Sequence, residues 1–364
     1  MPDLFISTHK GLLVYEAEGD EWELRSTHFL GEPVTSVLVD ATGQRWLAAL
    51  KLGHFGVKLR LSDDAGATWQ EVAAPAYPPK PPAKQGEAED PHAWTLDQVW
   101  ILEGFDPMTP ERVWAGTNPG GLFRSDDGGR TWTLIESLWN MPERRRWFGG
   151  GYDLPGIHSV CVHPTDPDDI VVGVSCGGAW RTEDGGRSWR VGRGMCADFM
   201  PPERREDPVI QDPHRIVQCA SDPNVLWTQH HCGIWKSSDR GATWHEVTAA
   251  VPSNFGFAVA VHPHNPAMAW FVPAIKDEKR VPVDGELVVS HTRDGGESFE
   301  VLRAGLPHRD AFDLVYRHAL DIANDGSLLA MGSTTGSLWV SPSGGETWRT
   351  ISNHLPPIYA VRFA

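Results

Sequence analysis

SDDAGATW (residues 62–69), SDDGGRTW (125–132) and SSDRGATW (237–244) are three copies of one string, Ser-x-Asp-x-Gly-x-x-Trp. TEDGGRSW (182–189) and TRDGGESF (292–299) are looser copies, SPSGGETW (341–348) carries Ser343 where the aspartate belongs, and GDEW (19–22) is a worn first copy. The closing aromatics stand at 22, 69, 132, 189, 244, 299 and 348. Their spacing, roughly 50 to 60 residues, is the length of a four-stranded propeller blade with its loops. Each box follows a short apolar segment such as GIWKS (233–237) and precedes another such as TWHEV (243–247), which makes it the hairpin turn between the third and fourth strands of a blade. In that turn the aspartate can accept backbone N–H groups, the glycine supplies a permissive backbone, and the tryptophan can pack between blades. The DxDGG-like strings lack the downstream bidentate glutamate of a calcium loop and recur in nearly every blade, so their reading is structural.

The boxes resemble the Asp-box (BNR) repeat of sialidases and sortilin-type receptors, over essentially the full chain. That resemblance and the count of seven imply an all-β fold: one seven-bladed β-propeller domain over residues 1–364, built of four-stranded antiparallel blades. SVCVHP (159–164), AVAVHP (258–263), TSVLVD (35–40) and ALDIAN (319–324) alternate with period two and read as innermost strands. IYAVRFA (358–364) is an innermost strand with no blade after it, and LFISTHKGLLVYE (4–16) is a second and third strand with none before them. The C-terminal strand is therefore expected to pair in the N-terminal blade and close the ring, removing exposed sheet edges.

With 32 basic and 48 acidic residues the chain carries a formal charge of −16, which gives no drive toward a phosphate backbone and argues against nucleic acid as a partner. No run of 18 apolar residues indicates a membrane span. The N-terminus does not read as a secretory signal, and the five cysteines show no CxxC pair, which predicts a cytoplasmic protein with reduced thiols. Oligomeric state is not legible.

Four insertions, near 75–93, 139–156, 196–213 and 273–286, all fall in loops on the face opposite the boxes, the upper face, which is accordingly the expected functional face. His163 and His262 sit in His-Pro turns on the box face and read as turn formers. His9, His54 and His231 each stand two residues before the glycine that opens a third strand, aimed at the upper face. His158 and His318 align at the start of innermost strands, with His214 and His230 near in sequence. A closed ring can gather such scattered imidazoles around a metal, so His9, His54, His158, His231 and His318 are candidate ligands for zinc, copper, iron or manganese; the alternative is a set of unrelated hydrogen-bonded histidines.

The sialidase resemblance implies a tyrosine nucleophile and three arginines around a carboxylate. The early Arg-Ile-Pro segment that supplies the first arginine is absent. Tyr316, Arg317, Tyr152 and the run Arg144–Arg146 are residues of the right type outside the family context. No G-x-S-x-G, P-loop, HExxH or dinucleotide fingerprint occurs. Two functions of different class follow. One is a metal-dependent hydrolase or lyase for a small polar or anionic molecule, with Tyr316 or Asp310 moving protons and Arg317 holding an anionic group. The other is a non-catalytic scaffold whose protein partner docks on the upper-face loops, with Trp139, Trp147, Phe148 and Tyr152 exposed as contacts. A sialidase-like glycoside hydrolase is the third possibility.

Overall fold

A computed structural model describes every residue except Met1, Asp20, Lys84, Glu87 and Gly151; Asp20 of the worn first box thus lies outside the described residues. The described residues form seven four-stranded antiparallel sheets, the blades of a β-propeller, as the repeat count requires. Contacts divide the chain into two compact units, Met1–Thr35 with Gly192–Glu206 and Pro213–Ala364, and Ser36–Val191 with Asp207–Asp212. No helix of the described residues is long and apolar enough to cross a membrane.

The first unit holds blades one, five, six and seven. Blade one is completed from both ends of the chain: Ile358–Phe363 pairs antiparallel with Leu4–Thr8, in the register Leu4 to Phe363 through Thr8 to Ile358. Its core includes the fully buried Trp227, Trp235, Trp244, Trp270 and Trp339. The indole N–H of Trp227 donates to Pro266 O (3.0 Å) and that of Trp270 to Gly344 O (2.8 Å), each reaching from one blade into the turns of the next.

The second unit holds the rest of the blades, with inner strands Gln98–Asp106 and Ile157–His163 in blades three and four. Two of its insertions are packed rather than solvated. Arg144 is buried, lies 4.0 Å over the Trp139 ring, and pairs with Asp90 from the Pro-rich insertion; Arg146 pairs with Asp207. Burial pushes the Asp90 carboxyl up, but hydrogen bonds from Arg144, His92 and Trp94 outweigh it and hold the group at about 2. The sequence places Trp139 and Trp147 on an exposed contact surface; the structure corrects this, burying both, Trp139 against Tyr77 and Trp94 and Trp147 against Trp180. The cause is the neighbouring insertion, which brings Tyr77 against the Trp139 ring and Asp90 to hold Arg144 over it. Tyr152 is exposed as expected, and Phe148 is half-buried.

The box turns have the structure the pattern demands. Asp64 accepts from Ser62 Oγ (2.8 Å), Thr68 N (2.8 Å) and Thr68 Oγ1 (2.6 Å). Asp127, Asp184, Asp239 and Asp294 repeat this set. In the seventh box Ser343 Oγ accepts the Thr347 N–H (2.9 Å) in the aspartate's stead. The box glycines Gly129 and Gly296 have φ of +90° and +99°, and a Cβ there would lie 2.6 Å from Leu47 and 2.7 Å from Val247, side chains of the preceding blade. Glycine is needed at these two positions both for the left-handed backbone and for the close approach.

One half-buried carboxylate bears on closure of blade one. Asp321, in the inner strand of blade seven, accepts the Phe363 N–H (2.8 Å), and burial lifts its carboxyl to about 6 against the opposing pull of that N–H, Arg362 and Arg215. The folded value exceeds the unfolded one, so the group's stabilising contribution is complete below about pH 4 and is lost as pH rises through about 6. Asp321→Asn keeps an acceptor for Phe363 without the charge. It should raise stability at pH 7.5 by on the order of 1–2 kcal/mol, allowing for the group's partial access to solvent, and flatten the difference between pH 4 and 7. Denaturant unfolding at both pH values checks this; a variant less stable than the parent at pH 7.5 would reverse the sign.

Candidate functional site

Inner-strand starts of the first unit bring together the densest group of polar and aromatic side chains at the end away from the boxes. Phe257, in the strand Gly256–His262, is its centre. The strand begins with glycine because a Cβ at Gly256 would lie 2.6 Å from Val272 O. His214, opening the strand Pro213–Gln218, stacks on Phe257 (4.4 Å, 13°) and bonds the Gly256 carbonyl through Nδ1 (2.7 Å). That bond requires the proton on Nδ1, so Nε2 is the imidazole's acceptor nitrogen. Tyr316 meets Phe257 edge-on (5.0 Å), and the guanidinium carbons of Arg280 and Arg317 lie 5.3 and 5.4 Å from its centroid. Burial would lower the Arg280 pKa, but hydrogen bonds to Asp277 and Tyr316 outweigh it and raise it. The site is thus an aromatic floor under two fixed cations and a phenol.

His231, in the turn before Gly233, packs edge-on against His214 (5.4 Å), Phe255 (5.8 Å) and the exposed Phe199 (5.0 Å). Glu278, on the hairpin of the 273–286 insertion, is exposed and lowered by a backbone amide, Lys276 and the nearby His231. Cys232 offers no thiolate: burial and its bond to Asp198 (2.8 Å) push the thiol up to about 12.

The expected catalytic pair Tyr316 and Arg317 is therefore placed at one site, Arg317 being buried. Asp310 is exposed on a left-handed turn beside Gly285, while Asp313 is the buried carboxylate of that segment, accepting from Ser333 (2.7 Å) and Thr335. The five expected metal ligands supply no group of three among the described residues. His9 is exposed on a hairpin turn against Tyr359, and His318 is buried in the first unit. In the second unit His54 is exposed beside Phe55, while His158 is buried, bonds Ser159 Oγ (2.9 Å) and packs on Trp100. Only His231 comes beside another imidazole, that of His214. His163 and His262 accept backbone N–H groups two residues on, as turn formers should.

Sequence reading missed Phe257, Arg280 and Glu278, and noted His214 only as a neighbour of the candidate ligands. Two had a signal: His158, His214, Phe257 and His318 each sit at the start of an inner strand, so extending the register of blades four and seven to blades five and six finds them. Arg280 and Glu278 had none, because an insertion carries no repeat register.

The fold and its boxes define an Asp-box β-propeller, and the BNR/Asp-box repeat family matches residues 123–134. Among known proteins the chain is similar to a probable oligoxyloglucan-reducing end-specific xyloglucanase of Neosartorya fischeri, with 34% identity over 259 residues, 69% of this chain and 27% of that protein. It is also similar to a sialidase of Bacteroides fragilis, with 23% identity over 206 residues, 49% of this chain and 38% of the other. The crystal structure of a xyloglucanase from Xanthomonas campestris superposes with a TM-score of 0.63 at 17% identity, over 96% of this chain and 52% of that one. The chain spans well under two thirds of the length of each of these proteins.

Proposed function

We propose that the chain is a carbohydrate-active hydrolase that cleaves glycosidic bonds in a neutral or acidic oligosaccharide at the Phe257 site. The observation that carries this reading is the convergence of Phe257, Tyr316, Arg280 and Arg317 at one strand end, and the similarity to xyloglucanases and a sialidase supports it. The exposed Phe199 supplies a face for sugar C–H groups, and Arg280 and the Tyr316 hydroxyl supply donors for sugar oxygens. Glu278, on the insertion hairpin and held ionised chiefly by a backbone amide and Lys276, is the carboxylate we assign as general base. A metal is not required by this assignment; His231 and His214 Nε2 are the two nitrogens that would receive one.

Release of reducing ends from xyloglucan oligosaccharides, other β-glucans and sialyl-lactose tests the reading. Tyr316→Phe, which removes one oxygen, and Glu278→Gln should each lower turnover at least tenfold, about 1.4 kcal/mol in the barrier, with unchanged melting. Absence of cleavage across the panel, or full activity in both variants, would remove the hydrolase assignment.

A further inference from the structure

A second site lies in the second unit, at the box end of blades two and three. There the turn Asp40–Arg45, the box residues Asp63 and Arg130, and the turn around Pro107–Glu111 border an open cavity of about 570 Å³, within the range of small-molecule sites. Its polar wall is a fixed chain of charges. Arg45 donates to Asp63 Oδ1 (3.0 Å) and to both Glu111 oxygens (2.8 Å each), and Arg130 donates to Asp63 Oδ2 (2.7 Å). Each arginine thus reaches from its own blade to a carboxylate of the other. Phe105, turned to φ +57° in the bulge between Gly104 and Asp106, lies 5.8 Å from the Arg45 guanidinium and backs it. The absence of a side chain at Gly128 leaves room for the network, since a Cβ would lie 2.8 to 3.1 Å from Glu111, Arg45 and Arg130.

The chemistry of this wall selects a ligand. Three carboxylates, Asp40, Asp63 and Glu111, face two guanidinium groups, so the net charge is negative and an anion is disfavoured. Asp63 and Glu111 are already neutralised by arginine, and Asp40 is spent on Gln44 N, Arg45 N and Thr42 Oγ1, so a multivalent cation finds no bare carboxylate cluster. About half of the Asp63 and Glu111 side chains remains exposed (46% and 51%), which leaves lone pairs on oxygens that each accept one hydrogen bond from arginine. Together with the side chains of Arg130 and the exposed Gln44, they give the cavity a lining of both acceptors and donors, with Pro107 and Pro110 as apolar walls. Neighbouring hydroxyls of a sugar ring, each donor and acceptor at once, suit such a mixed lining, and ring C–H faces suit the prolines.

We propose that this cavity is a binding subsite for a neutral oligosaccharide, separate from the Phe257 site; the choice of a β-glucan as its probe rests on the hydrolase reading. Calorimetric titration of the full chain with cellotetraose is the test, with sodium sulfate and calcium chloride as the ionic alternatives. Binding in the millimolar range is expected. Gln44→Ala, at an exposed side chain outside the arginine network, should weaken it at least fivefold with the melting temperature unchanged, and Glu111→Gln should weaken it further, while Tyr316→Phe leaves it intact. No binding up to about 10 mM, binding indifferent to both variants, or binding of sulfate or calcium in place of cellotetraose would overturn the subsite. The outcomes separate from the hydrolase test: cleavage without this binding removes the subsite alone, and this binding without cleavage of any glycan removes the hydrolase reading alone.

Discussion

Deleting residues 357–364 should leave a chain that no longer unfolds cooperatively, with a melting temperature lowered by more than about 15 °C or no soluble protein at all. The strand Ile358–Phe363 is not an appendage. It pairs along the whole of Leu4–Thr8, and on its other side Val361 N donates to His318 O (2.9 Å), Ile358 N to Ser333 O (3.1 Å) and Phe363 N to Asp321. Ile358, Val361 and Phe363 are 1%, 4% and 7% exposed. Three such side chains contribute about 1.5 to 3 kcal/mol each on burial, and each backbone bond about 1 kcal/mol. Their sum approaches the 5 to 15 kcal/mol by which a whole domain is stable. A synthetic peptide of residues 356–364, added in trans, should restore part of the lost melting temperature. A truncated chain that melts within about 3 °C of the parent would show that blade one stands without this strand.

Trp244→Ala should cost about 3 to 5 kcal/mol in denaturant unfolding, the range for removing a fully buried large side chain. Trp244 closes the box of blade five and is 2% exposed. Its surroundings are rigid: Trp244 N donates to Arg193 O (2.8 Å), and the chain at 192–194 runs so close that a Cβ at Gly194 would lie 2.2 Å from Trp244 O. Backbone held at that distance cannot collapse into the space left by the indole. Blade seven repeats the device, with Trp348 N bonded to Ala304 O and Gly305 passing 1.9 Å from Trp348 O on the same measure. Trp132 is only half-buried, and Trp132→Ala should cost less than Trp244→Ala. A loss below about 1 kcal/mol at Trp244 would mean that the box aromatics do not carry inter-blade packing.

The blade count, the place of each box and the pairing of the C-terminal strand were legible because each is a local pattern repeated at a fixed interval, where the same turn needs the same acceptor, glycine and ring. The candidate site was legible only as far as that register extends. Tyr316 and Arg317 flank an inner strand and were found, and His214 lay one alignment step away. Arg280 and Glu278 come from an insertion, where no repeat constrains position, and only folding brings them over Phe257 and near His231. The exposed placement of Trp139 and Trp147 failed for a related reason: loop length suggests solvent, but the Arg144–Asp90 pair ties two loops together over Trp139.

Ser343 has a consequence for how such chains diverge. One hydroxyl receiving the Thr347 N–H keeps the seventh turn in the shape that five aspartates give elsewhere, so the turn needs an acceptor and not a charge. Residues that supply one acceptor are interchangeable at little cost, and each box can drift independently of the others. Boxes with aspartate at 64, 184, 239 and 294 hold the same bonds as the one within 123–134 that the repeat family matches. In such a repeat, shape outlasts spelling: a box that loses its carboxylate keeps its turn as long as one acceptor stays within reach.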